Sequence, residues 1–118
     1  MGGSLDFTSS LKKNYEFRRL YSKGKSAVSP LLAVYCRDNR KGSNGLGITV
    51  GTKVGKAVVR NRVRRRLKEI YRLNESQISQ GYDIVVVARV RSRFASFSQL
   101  QSDMLKLFIK LGIFNTGR

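Results

Sequence analysis

The chain has 118 residues, 24 Lys and Arg against seven Asp and Glu, one Cys and no His, giving a formal charge of +17 and a pI near 11.0. That length suits one domain able to bury about two-thirds of the surface its unfolded chain exposes. The lone thiol and missing imidazoles exclude an intrachain disulfide and the common zinc arrangements, and the charge calls for a polyanionic partner, nucleic acid or an anionic membrane.

Met1 to Ser4 read as an expression scar, residues 1–7 as a disordered start, 8–114 as one domain and 115–118 as a tail. Residues 8–22 lack Gly and Pro and predict a first helix, with Thr8, Ser9 or Ser10 as N-cap. Its wheel sets Leu11 and Tyr15 on one side, and Phe17 and Tyr21 on another beside Arg18. A helix with one buried face does not need that second aromatic surface. Gly24 ends the helix, and a brief strand is expected at 26–28. After Pro30, the apolar run 31–37 predicts a longer strand with Cys36 as a small core residue. The polar cluster 38–45 reads as a hairpin-type loop, and 46–50 as the returning strand.

Residues 53–72, KVGKAVVRNRVRRRLKEIYR, hold nine basic residues and one acid, Glu69, with apolar residues threaded between them. At about 100° per residue, Val59, Val63, Leu67 and Ile70 share one arc, with Tyr71 and Leu73 at its edges. Opposite lie Asn61, Arg65, Lys68 and Arg72, flanked by Arg62 and Arg64, a ladder about 16 Å long suited to successive phosphates. Arg66 falls on the apolar side and is expected to snorkel or to reach a local acid. A turn at Gly81, a strand at 83–90 whose IVVVA centre implies burial on both faces, and a helix at 98–111 complete the chain. Ser96 and Gln99 fit a capping box; Phe97, Leu100, Met104, Phe108 and Leu111 form that helix's packing stripe. The order αβββαβα defines an α/β (α+β) two-layer sandwich, one central sheet with helices packed on it.

Gly51 to Ala57 stand where a phosphate-binding loop would open a helix, but the spacing is one residue short and Ala57 replaces the metal-ligating hydroxyl. Nucleotide hydrolysis is therefore not expected, although helix N–H groups beside Lys53 and Lys56 still suit a phosphate. The seven carboxylates fall at no dyad or metal-pair spacing and the usual general base is missing, so no catalytic and no metal-ligating residue is assigned. Phe17, Tyr21 and Tyr35, each ordinary core when taken singly, stand with Arg89, Arg91 and Arg93 as an aromatic and cationic set suited to unstacked single-stranded bases. No apolar run nears the roughly 20 residues of a membrane span and no signal-peptide pattern opens the chain, so a cytoplasmic protein without a membrane partner is expected.

The stretch from Lys53 to Arg65, centred on Arg60-Asn61-Arg62, closely resembles the "RNR" motif of the bacterial ribonuclease P protein family. Supporting matches are Leu11-Lys12-Lys13 with Glu16-Phe17 and Gly24, Leu46-Gly47-Ile48, and Asp83 to Arg89, so the resemblance spans 11–111. It implies a left-handed βαβ crossover and an RNA-binding domain. It further implies a non-catalytic protein subunit of an endoribonuclease whose RNA, with magnesium, removes the 5′ leader of precursor tRNA. By position, Lys53, Lys56, Arg60, Asn61, Arg62, Arg64, Arg65 and Lys68, with Arg72 from the ladder, would face the catalytic RNA. Phe17, Tyr21, Tyr35 and Arg89 would line the leader cleft. Two departures from the family pattern stand out: Gly51 and Thr52 replace a basic residue before Lys53, and Tyr21 stands where Phe is common. The alternatives are a ribosomal or RNA-assembly protein of similar fold and an autonomous RNA-cleaving enzyme. No self-association is predicted, although a +17 chain can pair around anions.

Overall fold

The computed structural model of the chain describes residues 8–115. The expected disordered start at 1–7 and residues 116–118 of the expected tail lie outside the described residues. The elements are β1 (Thr8–Ser10), α1 (Asn14–Lys23), β2 (Lys25–Val28), β3 (Leu32–Asp38), β4 (Asn44–Val50), α2 (Ala57–Asn74), β5 (Tyr82–Ala88) and α3 (Phe97–Leu111), with short 3₁₀ turns at Thr52–Val54, Glu75–Gln77 and Val90–Phe94. The predicted order stands, preceded by one strand, β1, where the sequence predicts the start of the first helix.

One five-stranded sheet runs β1-β4-β5-β3-β2. β5 lies between β3, its antiparallel partner, and β4, its parallel partner, so the 38–45 segment is not the expected hairpin loop. It carries the chain past the start of β5, where Asn39 donates its backbone N–H to the Gly81 carbonyl (2.8 Å) and its side-chain amide to Asp83 Oδ1 (3.0 Å). Asn44 and Gly45, expected in that loop, already belong to β4. Strand alternation commits one face of the sheet to the core: Leu32, Val34, Cys36, Leu46, Ile84 and Val86 meet Val63, Leu67 and Ile70 of α2 and Leu100, Met104 and Phe108 of α3. Ile84, Val85 and Val86 are all buried, as a central strand covered on both faces requires.

The first helix starts later than expected because Thr8 to Ser10 pair in parallel with Asn44 to Leu46. Sheet pairing at an open edge outweighs the weak local preference for helix. Leu11 extends the pairing through its N–H to the Leu46 carbonyl (2.9 Å). At the true start of α1, Glu16 Oε1 accepts from the backbone N–H groups of Lys13 (3.0 Å) and Lys12 (3.1 Å), and these bonds hold its carboxyl below the usual range. The Ser96/Gln99 box caps α3 as predicted, through Gln99 N–H to Ser96 Oγ (3.1 Å) and Ser96 N–H to Gln99 Oε1 (2.8 Å). Gly112 ends that helix at φ 78°, a left-handed geometry that favours glycine. Val90, expected at the end of the last strand, instead opens a 3₁₀ turn.

A polar node ties α2 to the sheet. Asn44 Nδ2 donates to the Tyr71 hydroxyl (3.1 Å) and the Ser79 carbonyl (2.9 Å), and its Oδ1 accepts from the Tyr82 N–H (2.9 Å). Thr8 Oγ1 shares a further bond with the Tyr71 hydroxyl (2.9 Å), clamping β1 to the same point. Burial pushes the Tyr71 phenol above its ordinary value of 10.0, with the two side-chain bonds opposing that shift. The folded chain thus holds this proton more tightly than the unfolded chain does. The resulting stability is intact below about pH 10 and is lost as pH rises through the raised folded value. Denaturant unfolding at pH 8 and at pH 10.5 to 11 should show this loss in the native chain and a smaller loss in Tyr71→Phe; identical pH slopes would remove the phenol from the linkage.

Candidate nucleic-acid interface

The apolar stripe of α2 fixes which basic side chains face outward. Val63, Leu67, Ile70 and Tyr71 are buried, while Leu73, at the predicted edge of the arc, is exposed. With that seam seated on the sheet, Asn61, Arg65 and Lys68 project to solvent. Lys53 and Lys56 are exposed too, but neither lies within the helix: Lys53 sits in the 3₁₀ turn after β4 and Lys56 is the N-cap position of α2.

Several arginines are anchored without losing their charge. Arg60 Nε donates to the Gly55 carbonyl (3.1 Å), Arg62 Nη2 to the Arg93 carbonyl (3.4 Å) and Arg64 Nη1 to Asn61 Oδ1 (3.1 Å). Each bond uses one of five guanidinium donors and fixes the fork's direction, leaving the rest for phosphate oxygens. Arg66 reaches the Ala95 carbonyl (3.2 Å) rather than a local acid, so its stem covers the core edge while its head pins the loop before α3. Arg72 departs from the predicted ladder: it is half-buried and forms a two-pronged pair with Glu69, Nε to Oε1 at 2.8 Å and Nη2 to Oε2 at 2.5 Å. That hydrogen bonding holds the Glu69 carboxyl below its usual range and offsets the cation's charge.

The opposite face of the sheet is only partly covered. α1 packs there through Leu20, its one buried residue. The strand under it is cut away to fit: a Cβ on Gly45 would lie 2.5 Å from Leu11 Cδ2, and one on Gly47 would lie 2.6 Å from Phe17 Cε1. Phe17, half-buried, is thus a contact between α1 and the sheet. Tyr21 is 43% exposed and meets Tyr35 edge to face, with centroids 4.9 Å apart and planes at 81°. Its hydroxyl lies 3.5 Å from Thr49 Oγ1. Strand alternation sets Thr49, Tyr35 and Val87 on this same face, making a trough floored by half-buried side chains. Arg89 follows at the end of β5, exposed and tied through Nη1 to the Ser29 carbonyl (2.9 Å).

Thr49 and Val87 join this candidate site without being expected from the sequence, and their signal is their parity with Tyr35 on the neighbouring strands. A depression of about 330 Å3 between α1 and the β3–β4 loop mixes Arg19, Arg37, Arg40 and Lys41 with Glu16, Asp38 and Asp83, so its charge is largely offset internally. Among the described residues no group of three or more Cys, His, Asp or Glu could hold a metal ion, and no helix is long and apolar enough to cross a membrane. Cys36 is fully buried in the core, where burial pushes its thiol up.

Fold and surface together define a small α/β protein carrying a cationic helix and a separate aromatic trough. The sequence model described as Ribonuclease P matches residues 5–112, and the chain belongs to that family. It is 44% identical over 107 residues to the ribonuclease P protein component of Alkaliphilus oremlandii, covering 91% of this chain and 94% of that protein. The Clostridium botulinum (strain Loch Maree / Type A3) component is 45% identical over 106 residues, covering 89% and 96%. In structure the chain is similar to the RNase P protein of Staphylococcus aureus (TM-score 0.83, 33% identity, 90% of this chain and 97% of that one). It is also similar to that of Thermotoga maritima (TM-score 0.79, 31% identity, 86% and 96%).

The arginine geometry sets an order of effects. Arg65→Ala should weaken binding to a ribonuclease P RNA and lower the slope of log affinity against log salt by about one unit. Arg72→Ala should change that slope less, because Glu69 already offsets its charge. Salt titrations of both variants check this; equal slope changes would show that the ion pair opens on binding.

Proposed function

We propose that this protein is the protein subunit of a ribonuclease P holoenzyme, binding a catalytic RNA and the 5′ leader of precursor tRNA and assisting the endonucleolytic cut that frees the mature tRNA 5′ end in the cytoplasm. The observation that supports this reading is a cationic surface and a partly exposed aromatic surface on opposite sides of one sheet. The outward face of α2 suits a structured RNA backbone; the trough with Tyr21 and Tyr35 suits a single strand whose bases are free to stack.

The chemical division follows from the side chains. Magnesium ions bound mainly by the RNA would supply metal-assisted hydrolysis. Lys53, Lys56, Arg60, Arg62, Arg64, Arg65 and Lys68 neutralise phosphates and so reduce RNA–RNA repulsion, lowering the demand for free divalent cation. Asn61 orients Arg64 within that set. Tyr21 and Tyr35 offer ring surface to the leader, with Arg89 a cation at the end of the same sheet face and Phe17 holding α1 at the trough's edge.

Reconstitution tests the reading: a ribonuclease P RNA at low magnesium should process precursor tRNA at its mature 5′ end faster with this chain than without it. Unchanged processing, or correct cleavage by the purified chain with no RNA subunit, would overturn the assignment.

Tyr21→Ala is a cleaner probe of the leader than Phe17→Ala, because Phe17 also fills the space above Gly47. It should leave assembly with the RNA intact and reduce the preference for precursor over mature tRNA by about fivefold to tenfold, the equivalent of one weak stacking contact. Competition binding with both tRNA forms measures this; an unchanged ratio would take Tyr21 out of the leader site.

A further inference from the structure

We infer that Phe94, with the arginines around it, forms a stacking site for one unpaired base of the RNA that lies along α2. This rests on the RNA-binding reading above and extends it to a surface outside both the helix ladder and the sheet trough.

Phe94 is 79% exposed, the most exposed large apolar side chain among the described residues. It ends the 3₁₀ turn Val90–Phe94, which carries Arg91 and Arg93 and no acid. The Arg93 guanidinium carbon lies 5.1 Å from the ring centroid, within cation–π range.

The turn fixes the backbone that carries the ring. The carbonyls on either side of Phe94 are each held from α2: Arg62 Nη2 donates to the Arg93 carbonyl (3.4 Å) and Arg66 Nη1 to the Ala95 carbonyl (3.2 Å). Within the turn, the Ser92 N–H and hydroxyl both bond the Arg89 carbonyl (2.9 and 2.6 Å), and the Ala95 N–H bonds the Ser92 carbonyl (3.2 Å). On a backbone fixed this way only the two side-chain torsions of Phe94 are left to order when a partner stacks on the ring.

Beside the ring is a groove of about 220 Å3 lined by Leu31, Arg91, Phe94, Ala95 and Gln99, room for a single planar base. No carboxylate lines it. Gln99 Oε1 is occupied by the Ser96 N–H, which leaves the amide nitrogen as a donor for a base edge. Charge selects the occupant: an aromatic ring with Arg93 over it and Arg91 in the same groove, next to Arg62 of the cationic helix, matches a base with its phosphates better than it matches an apolar peptide.

The chain has no tryptophan, so Phe94→Trp places a single indole reporter at the proposed contact. Titrated with a ribonuclease P RNA, this variant should keep native affinity and show saturable fluorescence quenching. Phe94→Ala should lose about tenfold in affinity with an unchanged salt slope, since stacking is lost and no phosphate contact is. Because the ring is exposed, both variants should unfold at the native temperature. Native affinity in Phe94→Ala, as expected if a protein partner occupies the groove, would overturn the inference, as would saturable binding without quenching. No saturable binding by the native chain would overturn the RNA-binding reading as well.

Discussion

Side chains along a strand alternate between the two faces of a sheet, and here that alternation determines where everything else can sit. It sends Leu32, Val34 and Cys36 toward α2 and α3, and Ala33, Tyr35 and Arg37 the other way. The first set joins a core closed by two long helices. The second meets α1, a helix of 10 residues that spans only part of the face. What α1 leaves uncovered becomes the trough, and the outward side of α2, seated by its own apolar seam, becomes the cationic face. Both surfaces are thus consequences of one packing arrangement, which is why they face away from each other.

A chain with 24 cations and seven anions must manage its own repulsion. It does so on α2 mostly without spending acids. Arg60, Arg62 and Arg66 give hydrogen bonds to carbonyls and Arg64 to an amide oxygen, which orient the charge but do not cancel it. A carboxylate partner would stabilise the free protein slightly and weaken its attraction for a polyanion. Glu69 makes that exchange once, at Arg72, near the C-terminal end of the helix.

The basic helix was legible in the sequence because its two periodicities, apolar and cationic, run in opposite phase over many residues. The core strands and the α3 cap were legible for similar local reasons. The start of the chain was not. Thr8, Ser9 and Ser10 have plausible N-cap chemistry, and only the distant strand edge at Asn44 to Leu46 turns them into β1. The insertion of β5 between β3 and β4 was hidden for the same reason: the 38–45 segment has the turn residues of a hairpin, and what denies it one is a strand more than 35 residues further on. Asn44 shows the limit most clearly, since an asparagine among loop-forming residues gives no sign that it will be 1% exposed and bonded to Tyr71, Ser79 and Tyr82.

The first helix shows how geometry redistributes roles that the sequence could only group. Its wheel gave two aromatic surfaces, and Phe17 and Tyr21 were assigned together to the cleft. Gly47 separates them. A glycine there creates a gap that one edge of the Phe17 ring enters, so part of that half-buried ring packs on the sheet. Tyr21, one turn later, reaches the sheet only through its edge-to-face contact with Tyr35 and its hydroxyl near Thr49, and stays 43% exposed. An edge-to-face pair leaves ring surface on both partners free, whereas a parallel stack would have consumed one face of each. The Tyr21 hydroxyl thus lies near β4 while the ring keeps exposed surface. Base stacking in the trough would fall mainly to this braced pair, while Phe17 fixes the angle at which α1 presents it.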